Sequence, residues 1–321
     1  MLQWRMVTTN DVNAAGRILK VKLGMVIADS PARLKVGGIK ASKTSGRSCP
    51  YCSFDIDDLG NTNAVTPSQR GADHRVQSLA CLTSSGRAQH DHLGVRYSIL
   101  NELPYYSTPL MCPPDYMHAI HLGLCKRFFH LFLVNACGSI GGQLEAVQKV
   151  IARTMLPSTA PRPDSRIGEP SGGNPSAQQW LTLFRNQLVF ALIEIWAQPL
   201  SGAKSLSLEF KPQQKSNRRM VLMGYKPVDD VFEAAVLLSL IVDMMERGSF
   251  TEREVRRLEE VILRFNRQQA NLLGPGWLTY NSHIAEHIPG FIRRYGTRKY
   301  QFRGRRGTQT TRSDADMNSN W

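Results

Sequence analysis

The chain contains no long uninterrupted apolar run. Its most hydrophobic stretch, "LVFALIEIWA", is too short to cross a bilayer as a helix and carries Glu194. The opening residues, "MLQWRMVTTNDVNAAG", lack the apolar core of a secretory signal, so an intracellular, reducing setting and no membrane partner are expected. Cysteine is sparse: six in 321 residues do not make a disulfide scaffold. In a reducing compartment a close pair of thiols is then expected to bind metal. No internal repeat is present. Carboxylates are the scarcer charge, 26 Asp and Glu against 40 Lys and Arg, a net charge of +14. A surplus of that size favours a polyanionic partner, of which nucleic acid is the commonest. What is present in ordinary measure is apolar residue content, 42%, which excludes wholesale disorder.

Read along the chain, "ILKVKLGMVIAD" alternates and then runs apolar, as a strand entering a core does, and it ends at Asp29. "SPARLKVGGIKAS" follows as a helix with Ser30 at the N-cap and Pro31 at the first helical position. Residues 42 to 94 are polar and rich in Gly, Ser, Thr and Asn, a loop with short helices. Beyond them the text is helical: "DYMHAIHLGLCKRFFHLFLVNA", "QLEAVQKVIARTM", "AQQWLTLFRNQLVFALIEIWAQ" and "DDVFEAAVLLSLIVDMMERG". "KSLSLEFKPQQKSNRRM" reads as a basic loop between them. A further helix opens on the capping box Thr251–Glu254 and stops at Gly274–Pro275.

Four groups of residues can carry chemistry. Cys49 and Cys52 in "CPYC" flank a tight turn and offer two corners of a zinc tetrahedron, or are two unrelated cysteines. His283 and His287 in "SHIAEH" share one helix face; by itself such a pair is more often an ordinary surface, but with the two cysteines it completes a closed four-ligand site. Glu286 precedes the second His instead of following the first, which excludes a metalloprotease signature. Asp29 at a strand end is a usual place for a catalytic carboxylate, and Asp before Ser-Pro is equally a helix cap. In "PPDYMHAIHLG", Asp115, His118 and His121 recur every three residues, but on a helix His121 drifts off the face shared by the first two.

The order of these pieces is itself a motif: "MVIADSPARLKVGG", "CPYC", "GVRYSILNELPYY", "PPDYMHAIHLGLCKR", "SAQQWLTLF", "YNSHIAEHIPGFIRRYG". In this order they resemble the transposases of CACTA (En/Spm-like) DNA elements of plants and fungi, over roughly residues 20 to 297. The resemblance implies an RNase H-like core whose three carboxylates hold two Mg²⁺ ions for strand transfer. It also implies a large helical insertion pinned by a structural zinc. By position Asp29 matches the second carboxylate, and Cys49, Cys52, His283 and His287 match the zinc ligands. Asp115 and His118 match an Asp-Pro-Met-His landmark, with Tyr116 in place of Pro. They are expected to be structural: Asp115 a helix cap, His118 a buried hydrogen-bonding residue.

The implied fold is mainly α, an α+β chain. Residues 1–45 would be a remnant of the RNase H-like core, 46–95 the Cys-pair segment with a polar loop, 96–290 the helical insertion, and 291–321 a basic, disordered tail. The departures are equally definite. The residues before Asp29 do not look like the strands that carry the family's first Asp, and no Asp or Glu occurs between Ile288 and Ser313, where the third carboxylate belongs. The expectation is therefore a transposon-derived protein truncated at both ends, catalytically incomplete. It would be nuclear, able to form a homo-oligomer, and would contact DNA phosphates through Arg218, Arg219, Arg303, Arg305 and Arg306. The alternative is a non-catalytic, zinc-stabilised DNA-binding or chromatin-associated module.

Overall fold

Helix boundaries in this protein are set by short-range chemistry that the chain spells out. In the computed structural model, which describes residues 2–6, 17–40, 49–55, 70, 73–135, 143–200, 207–214, 221–274 and 277–296, Thr251 and Glu254 cap each other. The Glu254 N–H donates to the Thr251 hydroxyl at 3.3 Å, and the Thr251 N–H donates to the Glu254 carboxylate at 2.8 Å. The helix they open, α10 (Glu252–Leu273), ends at Gly274, whose φ of 85° a side chain would resist. The same reciprocal capping by Thr279 and Ser282 starts α11 (Tyr280–Tyr295), and Ser176 with Gln179 starts α7 (Ala177–Asn186).

The other helices are α1 (Ser30–Val36), α2 (Asp73–Ala80), α3 (Ser84–His90), the single turn α4 (Thr108–Met111), α6 (Gln143–Arg153), α8 (Leu188–Leu200) and α9 (Val228–Met245). A continuous helix, α5, is built from Met117–Cys125, Lys126–Phe128 and Phe129–Val134. Its first and last parts are wide, with hydrogen bonds that reach back five residues, such as Asn135 N–H to His130 O at 3.0 Å.

α9 packs on α7, α8 and α10; α10 packs on α11; and α5 takes both α7 and α11. Between them lies one apolar core, in which Phe128, Phe129, Phe132, Trp180, Phe184 and Trp196 are almost wholly buried. That core draws on residues from Cys49 to Ile292, with the partly buried Met25 and Ile27 packed against it.

The mainly-α expectation holds. Among the described residues the sheets are two antiparallel pairs, and an RNase H-like core is not among them. β1 (Leu2–Met6) pairs with β2 (Arg17–Val21), and β3 (Ser207–Gln214) with β4 (Val221–Pro227).

Three sequence expectations need correction. The strand expected to end at Asp29 stops at Val21, because the next residues have no neighbouring strand. Instead the Leu23 N–H donates to the Tyr105 hydroxyl at 3.1 Å and the Val26 N–H to Met111 O at 2.7 Å. Leu23 and Val26 pack on a small cluster around Tyr106, Met111 and Cys112, while Met25 and Ile27 pack on the main core. The alternation was real, but it serves two apolar contacts and no ladder. Secondly, the N-cap of α1 is Asp29, not Ser30: its carboxylate accepts from the Ala32 N–H at 2.9 Å. Thirdly, the "basic loop" after α8 contains β3, which finds its partner in "VLMGYKP".

Candidate metal centre

α11 is an amphipathic helix whose Ile284, Ile288, Phe291 and Ile292 are buried in the core. His283 and His287, one turn apart, consequently project from one face toward the "CPYC" turn. That turn is held from the other side by Arg70. Its Nε donates to Cys49 O at 2.6 Å, its Nη2 to Leu93 O at 2.9 Å, and its own N–H to Tyr51 O at 2.9 Å. Two rings complete the seat. Tyr51 lies 4.9 Å from the His287 ring and 5.1 Å from Phe291, and Phe54 stacks on His283 at 3.8 Å and 14°.

The four side chains converge, and their ligand atoms all lie within 4.8 Å of one another. Cys52 Sγ is 3.3 Å from His283 Nε2 and 3.6 Å from His287 Nε2, while Cys49 Sγ is 3.4 Å from His287 Nε2. The two Nε2 atoms are 3.1 Å apart. An ion with four tetrahedral bonds, about 2.3 Å to sulfur and about 2.0 Å to nitrogen, requires S···N edges of about 3.5 Å and N···N edges of about 3.3 Å. The residues fit a bound metal ion, with no ligand left to recruit.

The electrostatics suit a thiolate at Cys49. Burial raises its thiol, but the hydrogen bonds from the Cys52 side chain and from the Tyr51 and Cys52 N–H groups, with the Arg70 charge, leave it below the usual range. Cys52 moves the other way, raised by its bond with Cys49 and by burial, against the opposing pull of His283 and His287. Behind His283, Glu286 brings Oε2 to 3.9 Å from Nδ1, and Asn266 of α10 donates to Glu286 Oε1 at 2.7 Å and to Ser282 O at 3.0 Å.

The other candidate residues do not join this centre. Asp29 is exposed, caps α1, and belongs to no metal-holding group among the described residues. Asp115 is the helix cap expected of it: 4% exposed, its Oδ1 accepts from the Met117 N–H at 3.0 Å and the His118 N–H at 3.4 Å. Its Oδ2 lies 2.6 Å from His118 Nδ1. His118 is hydrogen-bonded as expected but is 38% exposed instead of buried, because it stands on the first turn at the rim of α5. His121 is the buried one; it faces the edge of the Tyr116 ring at 5.4 Å and shares no cluster with Asp115 and His118. Arg218, Arg219, Arg303, Arg305 and Arg306 lie outside the described residues.

Sequence reasoning missed Arg70, Phe54, Asn266 and the buried Arg33, whose guanidinium lies 5.8 Å from the Tyr51 ring centre and donates to Pro113 O at 3.4 Å. Phe54 had a readable signal, an aromatic two residues past the Cys pair. Asn266 had one too, a polar residue at a core-facing position of a mostly apolar helix stripe. Among the described residues, no helix is long and apolar enough to cross a membrane. Comparison with protein-family models, curated proteins and solved structures finds no match to this chain.

Proposed function

We propose that this chain is a transposon-derived protein resembling the central part of a cut-and-paste DNA transposase, with its helical domain tied by a structural zinc at Cys49, Cys52, His283 and His287. The observation that carries the reading is the meeting of the two half-motifs, 231 residues apart at Cys52 and His283, in one cluster of tetrahedral dimensions. Two thiolates and two imidazoles are the donor set that zinc selects, and four protein ligands leave no open position for a substrate. The ion therefore holds structure, and supplies no reaction. In this reading the segment up to about residue 45 is the remnant of an RNase H-like core, the partner is DNA, met through the basic segments, and the location is nuclear.

The strand-transfer chemistry of the family rests on carboxylates that share two Mg²⁺ ions. The residues here do not fit that pair. Asp29 is exposed, engaged in capping, and belongs to no metal-holding group of three or more ligands among the described residues; one carboxylate does not hold two divalent ions against their hydration. The same position of Asp29 favours the second reading, a non-catalytic, zinc-stabilised DNA-binding or chromatin-associated module.

Two measurements test the proposal. The purified chain should carry about one zinc, and Cys52→Ser should lose it; a chain without zinc, or zinc indifferent to Cys52→Ser, overturns the assignment. Incubation with Mg²⁺ or Mn²⁺ and element-end DNA should give no cleavage, and cleavage abolished by Asp29→Ala would restore the catalytic transposase.

A further inference from the structure

Asn266 is 6% exposed, on the face of α10 that also buries Val255, Leu258, Ile262 and a second amide, Gln269. A buried amide costs free energy unless it is hydrogen-bonded, and of the two polar atoms of the Asn266 amide only the NH₂ has partners. Its Nδ2 serves two acceptors on α11, Ser282 O and Glu286 Oε1, and so ties the carboxylate of Glu286 at one oxygen. The other oxygen is left toward His283 Nδ1 at 3.9 Å. Nε2 of the same ring faces Cys52 and His287. A ring that presents Nε2 to a cation must carry its proton on Nδ1, and that N–H wants an acceptor.

We infer that Glu286, aimed by Asn266, is the positioning carboxylate of the metal centre: it holds His283 in the Nδ1–H tautomer. This rests on the zinc reading given above. Phe54, stacked flat on the same ring at 3.8 Å, restricts its rotation, so that Glu286 sets the remaining freedom, the tautomer. His287, more open to solvent, has the Tyr51 ring beside it.

The test is zinc affinity of the full chain, measured by competition with a chromophoric chelator, with cobalt-substituted absorption spectra as a second readout. Glu286→Gln keeps an oxygen for the Asn266 amide while turning an NH₂ donor, in place of a carboxylate oxygen, toward the His283 N–H. It should bind zinc about 10- to 100-fold more weakly and alter the cobalt bands, while the metal-free proteins of variant and parent unfold alike. Asn266→Ser, which releases the carboxylate, should weaken zinc in the same direction, and Glu260→Gln on the exposed face of α10 should not. A parent chain that holds zinc while Glu286→Gln and Asn266→Ser bind it within twofold of the parent overturns the positioning role alone. A parent chain without zinc removes both this role and the metal assignment.

Discussion

Burial decides the protonation of His74 and His121. Desolvation brings His121 down to about 4, against a small opposing pull from Asp115. It does the same to His74, also to about 4, where a bond to Gly37 O opposes it and Arg70 adds to it. Both are therefore neutral in the fold at pH 7. In the unfolded chain each takes a proton near pH 6.5. Stability is thus fully present above about pH 6.5 and falls as the pH drops toward 4, by about 1.4 kcal/mol per unit for each His. His121→Leu removes one of these protons without breaking a bond, since Nε2 has no hydrogen-bond partner. In metal-free protein, urea unfolding should show its loss of stability between pH 7 and pH 5 smaller than the parent's by about 2 kcal/mol. The capping role of Asp115 could be read from residue type and place, since an Asp just ahead of a helix is the commonest of caps. The exposure of His118 could not, because it depends on where the start of α5 meets the surface.

Elements follow local signals where those signals are sufficient. Capping residues and apolar stripes placed most of the helices, and the Thr251–Glu254 box placed the start of α10 to the residue. Signals failed where structure depends on a neighbour. Residues 22–29 carry a strand's alternation but no strand lies beside them, and β3 looked like loop until β4 supplied its hydrogen bonds. Gly123 shows the same dependence between helices. A Cβ there would stand 2.4 Å from Asn281 Nδ2 in the first turn of α11 and 2.9 Å from His118 O. The absence of a side chain lets α5 and α11 approach just before His283. Gly123→Ala should displace the Asn281 side chain and press on His118 O, and cost about 1 kcal/mol in denaturant unfolding, although alanine favours helix elsewhere.

At the scale of the whole molecule the Cys/His cluster joins the "CPYC" turn to the last described helix across 231 residues of chain. A ligand that binds only the folded form stabilises it by mass action, about 4 kcal/mol at a thousandfold excess over its dissociation constant. Chelation should then lower the melting temperature by roughly 6 °C at this chain length. Calorimetry with and without a chelator checks this, and the Cys52→Ser chain should melt where the chelated parent does. What the sequence by itself determined was local: residue types, caps, apolar stripes, a pair of thiols across a turn, a pair of imidazoles on one helix face. Each is fixed by contacts within a few residues of chain. That the two pairs meet was decided only by the tertiary structure. No short-range preference reaches across so long a separation. The packing of α11 on α10 and α5, with Arg70 holding the turn, sets the thiols and imidazoles at bonding distance from one point.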